Sequence, residues 1–199
     1  MRDKYGVNHY RYCYSGSDVL INKLNIKDSL DLEEAEVAFS KERYLSYQSN
    51  KTQLDHFNFG HLKHLHFVLF QDLYRWAGQL RDVDISKGNT RFCTYSRIEP
   101  EANKLFSQIA SLSTANNKEH LITQAADLFC EMNLLHPFRE GNGRTLRFFF
   151  EEMLFVAGYD VVWPVITPEC WIEANIAGVH FDLAPLKNIF HQAITLHKN

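Results

Sequence analysis

Two apolar runs at helical spacing bracket one short polar loop, and that pairing limits the fold more than any other feature of the chain. Leu121, Ala125, Leu128, Phe129, Met132 and Leu135 precede the loop. Leu146, Phe149, Phe150, Met153, Leu154 and Ala157 follow it, with Gly158 placed to end the second run. Each run predicts a helix that buries one face. Between them lies His136-Pro-Phe-Arg-Glu-Gly-Asn-Gly-Arg-Thr-Leu-Arg147.

That loop has the residue types of a phosphate site. Gly141-Asn142-Gly143 at a helix start lets successive backbone N–H groups turn toward one point, and the helix N-terminus adds partial positive charge there. Arg144 and Arg147 fall on one helix face, and guanidinium forks suit phosphate oxygens. Glu140 beside a polyphosphate would be repulsive without a cation between them, and Mg²⁺ is commonly held by a carboxylate plus phosphates. His136 stands at the end of the preceding helix, and an imidazole titrating near neutral pH suits a general base. The group proposes nucleotidyl or phosphoryl transfer to a hydroxyl. Taken singly, each residue also has a structural reading: a capping histidine, a solvated ion-pair network, a simple turn. Two rival glycine motifs fail. The Walker pattern would need Gly where Phe138 stands, and the dinucleotide fingerprint would need Gly where Leu146 stands.

At these residues the chain resembles the Fic family, whose motif is H-x-F-x-(D/E)-G-N-G-R-x-x-R. His136, Phe138, Glu140, Gly141, Asn142, Gly143, Arg144 and Arg147 match every fixed position. The likeness also takes in Trp76-Ala-Gly-Gln-Leu-Arg81 and extends over roughly residues 55 to 195. It implies an all-α domain with one small β-hairpin flap, and transfer of AMP from ATP to a Ser, Thr or Tyr hydroxyl of a target protein. By that resemblance His136 deprotonates the hydroxyl and Glu140 binds Mg²⁺. Gly141, Asn142 and Gly143 cradle the phosphates, Arg144 and Arg147 hold the outer ones, and Phe138 points into the core. Related transfers on the same scaffold remain open, a kinase-like step or transfer of UMP among them, as does a nucleotide-binding regulator without turnover. The intact His136 argues against the last, because phosphate binding alone needs no base.

The family also has a self-inhibitory helix, (S/T)-x-x-x-E-(G/N). Here the only Glu followed by Gly or Asn is Glu140, and His136 stands four residues before it. The resemblance therefore implies the toxin-like class, in which a separate small antitoxin supplies that helix, expected near Arg147 and against the N-terminal helices.

At 199 residues one compact domain is the prior, long enough to bury roughly 70% of its unfolded surface. Residues 1–54 are expected to be an arm and helices packed on a Fic core of 55–199. The net charge of −3 gives no electrostatic case for nucleic-acid or anionic-membrane binding. The four scattered cysteines imply a reducing, cytoplasmic setting, with delivery into a target cell as the other reading. No signal-peptide core and no run of membrane-span length is present.

Along the chain, Tyr5, Tyr10, Tyr12 and Tyr14 mark an extended arm, and Ser17 or Asp18 could cap a short helix to about residue 24. Leu30, Ala35, Val37, Phe39 and Tyr44 suggest an amphipathic helix over 29–49. A further helix is expected from His61 to Trp76. Its His61, His64 and His66 have no acidic or Cys ligand beside them in sequence, so a metal site there is disfavoured. Trp76 and Arg81 read as architectural. Gly88-Asn89 between short β-favouring runs is a hairpin signal, and the resemblance makes it the flap that docks a target segment, with Lys87, Gly88, Asn89 and Phe92 as its candidates. A helix over 98–114 ends at Asn116-Asn117, and a last helix is expected over 183–196. Thr167-Pro168 reads as a helix start. Trp171 and Asn175, one turn on, are nucleoside-pocket candidates by their position in the family, although Trp171 also suits a core site.

Overall fold

A computed structural model describes residues 11–88, 90–114 and 117–197. Seven helices make up most of the described chain: α1 Ser29–Ser46, α2 Phe59–Phe70, α3 Ile98–Phe106, α4 Lys118–Leu135, α5 Asn142–Val156, α6 Pro168–Val179 and α7 Ala184–Ala193. The fold is all-α with a small hairpin, β1 Ser86–Lys87 paired antiparallel with β2 Thr90–Arg91.

Local chemistry sets most helix starts. The Asp28 carboxylate accepts from the Leu30 and Asp31 amides. Asn58 accepts from the His61 amide, Asn117 from that of His120, and Thr167 from that of Cys170. Each such cap satisfies an N–H that the helix leaves open, and contributes about 1 kcal/mol.

The centre is α4, which packs against α3, α5, α6 and α7. Phe129 on α4 meets Phe150 on α5 and Phe190 on α7 edge to face, at 5.1 and 5.5 Å between centroids. α5 runs back between α4 and α2. A polar group is sealed into that second contact. The Glu152 carboxylate of α5 lies 2.5 Å from His61 Nε2 on α2 and accepts from the Tyr47 and Ser49 hydroxyls that follow α1. This single buried carboxylate therefore ties three segments together.

Several expectations are corrected. Residues 18–24 form no helix; Cys13 and Leu20 make an isolated antiparallel bridge, and the buried Asn22 amide holds the bend through Leu20, Leu24 and Ile26. α2 ends at Phe70, and the chain turns through Gly78, whose φ of 77° suits glycine. α7 ends at Ala193, because Ile194–Leu196 (β4) pairs antiparallel with Tyr159–Val161 (β3), a second two-stranded sheet. On α1 the buried face is Leu32, Glu36 and Ser40, while Leu30 and Val37 are 69% and 57% exposed. The expected apolar face thus points outward. Tyr12 of the arm packs edge-on against Trp76 and donates to Asp82 at 2.6 Å; Tyr5, Tyr10 and Asn116 lie outside the described residues.

Removing the Glu152 carboxylate strands the His61, Tyr47 and Ser49 groups that it satisfies, at about 1–3 kcal/mol for each buried one. Urea unfolding of Glu152→Ala should show a stability loss of about 3 kcal/mol. A loss below about 1 kcal/mol would show that His61 finds solvent once its partner has gone.

Candidate active site

The loop after α4 begins with an unusual backbone. His136 adopts the left-handed conformation, φ 42° and ψ 60°, and so turns the chain off the helix. Such a conformation in a non-glycine residue persists where its surroundings hold it. Here Arg81 does so. Its guanidinium, 2% exposed, donates from Nε to the His136 carbonyl at 2.8 Å and from Nη1 to that of Val83 at 2.6 Å. Nη2 reaches the Cys93 and Leu135 carbonyls, and the Arg81 amide donates to Pro137 O at 2.9 Å. Burial pulls the Arg81 pKa down to about 10, so the group is still a cation at neutral pH.

The His136 ring itself has a defined tautomer, set by a carbonyl of α4. Nδ1 lies 2.9 Å from the Asn133 carbonyl. A carbonyl only accepts, so Nδ1 carries the hydrogen and Nε2 is the basic nitrogen of the neutral ring. Phe92, just past β2, stacks on this imidazole at 3.8 Å and 14°. Of the hairpin candidates, Lys87 and Phe92 face the same cavity as His136, Gly88 makes the turn with φ 58°, and Asn89 lies outside the described residues.

Beyond His136 the loop is closed on itself. The Asn142 side chain accepts from the Phe138 amide and donates to the Phe138 carbonyl, both at 2.8 Å. Its amide is thus an internal clamp, and only its backbone N–H is oriented by the helix start. Gly141 precedes α5 with φ 78° and offers no side-chain cap. A Cβ there would lie 2.3 Å from the Phe70 ring. The N–H groups of the first turn of α5 are therefore presented to the cavity without a capping side chain. Phe138 is buried and stacks on His66 at 3.8 Å and 17°. His66 in turn accepts from the Gly78 amide through Nδ1 at 2.8 Å, so Nε2 donates to the Glu140 carbonyl at 3.0 Å. His61 and His66 of α2 thus serve as structural links, and no cluster of three metal-ligating side chains occurs among the described residues.

One cavity of about 480 Å³ is lined by His136, Glu140, Gly141, Asn142, Gly143, Arg144 and Arg147 on one wall. Lys87, Thr90 and Phe92 form its rim, and Phe129, Trp163, Ile166, Trp171, Ile172 and Asn175 its apolar end. Arg147 lies over the Trp171 ring at 5.2 Å, and burial, then the neighbouring Arg144, lower its pKa. The cavity can take a molecule that has both a flat aromatic part and anionic groups, next to a base. The sequence motif does not contain Trp163 or Ile172, and it gave no sign of Glu36, a carboxylate on α1 that pairs with Arg144. Such partners are brought in from distant elements and have no local pattern.

The comparisons with known proteins agree with this geometry. Residues 56–154 match the sequence profile of the Fic/DOC family. "Probable protein adenylyltransferase Fic" of Escherichia coli K12 is 36% identical over 98% of this chain and 97% of its own length. The chain belongs to the Fic/DOC family. Among solved structures, the BepC effector of Bartonella tribocorum with bound AMPPNP superposes with a TM-score of 0.85 at 25% identity, over 94% of this chain and 98% of that one. A Bartonella quintana Fic domain with bound ADP gives 0.84 at 26% identity, over 94% and 96%.

Two tests follow from the local geometry. Gly141→Ala forces a methyl into Phe70 at a backbone angle unsuited to alanine, and thermal unfolding should show a loss of about 1–3 kcal/mol; an unchanged melting temperature would mean that the loop relaxes freely. Burial pushes His66 down to about 3. The unfolded chain, with a value near ~6.5, then binds the extra proton between these limits. Stability from this group is complete above about pH 6.5 and lost as pH falls toward 3. Urea unfolding free energy should drop from about pH 7 to 5, less steeply in His66→Gln; equal slopes would rule out a neutral buried His66.

Proposed function

We propose that this chain is a protein adenylyltransferase, which moves AMP from ATP to a Ser, Thr or Tyr hydroxyl of a target protein. The observation that carries the reading is the placement of a histidine with Nε2 as its basic nitrogen on the same cavity wall as an uncapped helix N-terminus and two arginines. The cavity's shape and the nucleotides bound by the two Bartonella structures support ATP as the donor.

His136 Nε2 takes the proton of the target hydroxyl. The hydroxyl oxygen bonds to the α-phosphorus, and the bond from that phosphorus to the outer phosphates breaks, releasing pyrophosphate. Backbone N–H groups of Asn142 and Gly143 stabilise phosphate charge, and Arg144 and Arg147 hold the outer phosphates. Trp171 and Asn175 belong to the base end. Glu140 lines the cavity, and its Oε1 accepts from the Gly141 amide at 3.0 Å. One carboxylate beside a phosphate nest fits Mg²⁺, which takes few protein ligands and several phosphate oxygens. Bound there, the ion would neutralise phosphate charge. The hairpin, with Lys87 and Phe92 at the rim, would add a strand of the target by main-chain hydrogen bonds.

A small antitoxin is the second part of the proposal. A groove of about 250 Å³ between α1, α2 and α5 is lined by Val37, Tyr44, Leu69 and Phe148 together with Lys41, Glu151, Arg144 and Arg147. With Val37 exposed, it suits an amphipathic helix whose acidic residue meets the arginines. Among the described residues, no helix is long and apolar enough to cross a membrane.

Incubation of a lysate with the protein, ATP and Mg²⁺, read by intact-mass spectrometry, should add one AMP to a target protein. His136→Ala should abolish the gain and keep nucleotide binding. A phosphate-sized gain would replace the reading with a kinase-like one, and binding without any gain across the lysate would reduce the chain to a nucleotide-binding regulator.

A further inference from the structure

The fold treats the two arginines of the loop differently. Arg147 lies over the Trp171 ring. Arg144 is taken up by α1, an element outside the matched family region of residues 56–154. Its Nη2 donates to Glu36 Oε2, and its guanidinium rests on the Phe70 ring at 4.7 Å. The other oxygen of Glu36 accepts from the Tyr74 hydroxyl. Tyr74 is 1% exposed and stacks on Trp76 at 4.3 Å and 15°. Both carboxylate oxygens are thus engaged, and Glu36 cannot swing toward the phosphate wall without leaving Tyr74. Only one of the five guanidinium N–H groups of Arg144 is used by Glu36, and the residue still lines the cavity.

We infer that Glu36 is a positioning residue for the transfer reaction. It fixes Arg144 in the orientation in which its remaining N–H groups meet the outer phosphates of the nucleotide. The inference rests on the proposed phosphate site.

Two physical effects oppose each other here, and they predict opposite results. Charge alone would make Glu36 a hindrance, since a carboxylate repels phosphates. Arg144 stands between the two, however, and its positive charge offsets that field. Orientation works the other way. A long arginine side chain freed from Glu36 samples many rotamers, and the ligand must then order it on binding. With Phe70 below, Glu36 at one nitrogen and Tyr74 behind, that ordering is complete before the nucleotide arrives. The orientation effect is the larger in this setting, because both members of the pair are mostly buried.

The test is calorimetric titration of the full chain with a non-hydrolysable ATP analogue, ADP and AMP. Glu36→Gln keeps the side chain's shape and removes its charge. It should weaken binding of the analogue and ADP by about tenfold and leave AMP unchanged, because AMP lacks the outer phosphates. Tyr74→Phe, which removes only the hydroxyl holding Glu36, should produce a smaller weakening with the same selectivity. In the Arg144→Ala background, adding Glu36→Gln should cost nothing further, since Glu36 acts through Arg144. Tighter binding by Glu36→Gln would make Glu36 a competitor of the phosphates and overturn the inference. An additive loss in the double variant, or an equal loss for AMP, would also overturn it, by showing a general structural role. If Arg144→Ala itself leaves the analogue's affinity unchanged, the phosphate site is wrong and the inference falls with it.

Discussion

One buried cation organises the loop at His136 and the hairpin beside it. Arg81 has few geometrically acceptable partners once it is inside, and it is met by main-chain carbonyls from Val83, Cys93, Leu135 and His136. Its nearest carboxylate, Asp84, is 4.0 Å away. Carbonyls rather than a carboxylate therefore carry most of the compensation, and they come from both flanks of the hairpin and the end of α4. A guanidinium is rigid and planar, so it fixes the mutual orientation of these segments as well as their distance. The left-handed turn at His136 and the position of Phe92 over its ring follow from that one group. A shift at Arg81 would move His136 and the hairpin together.

The loop itself is stiffened by means that leave its ligand-facing surface clear. Asn142 ties back to Phe138, Gly141 allows Phe70 to approach, and His66 holds the Glu140 carbonyl from behind. None of these contacts occupies the front of the α5 N-terminus. Preorganised dipoles of this kind need no rearrangement when charge develops. The arginines are handled in the same spirit, with one steadied by a ring and the other by a carboxylate from a distant helix.

What the sequence reveals and what it hides divide along contact range. The α4–loop–α5 unit is legible because its apolar spacing, glycines and charged residues lie within one continuous stretch. The Thr167-Pro168 helix start and the Ser86–Arg91 hairpin are legible for the same reason, since capping and turn chemistry are local. α1 is legible as a helix but not in its facing. Its buried positions include Glu36 and Ser40, so a search for the apolar side turns it the wrong way. Glu36 is inside because Arg144 and Tyr74 satisfy it, and those partners lie far along the chain. The strand at Ile194–Leu196 depends on Tyr159–Val161 and reads in isolation as more helix. The stacking of Phe92 on His136 is likewise a product of the fold, set by the Arg81 contacts rather than by any local pattern.

The proposed nucleotide site stands in its working geometry before any ligand binds. A crystal structure of the chain with a non-hydrolysable ATP analogue and Mg²⁺ tests it most directly. The phosphates should lie on the N-terminus of α5, with the Arg81 and Glu36 contacts intact and backbone shifts in the loop below about 1 Å. A nucleotide bound elsewhere, or a loop that rebuilds around it with Arg144 released from Glu36, would contradict the account.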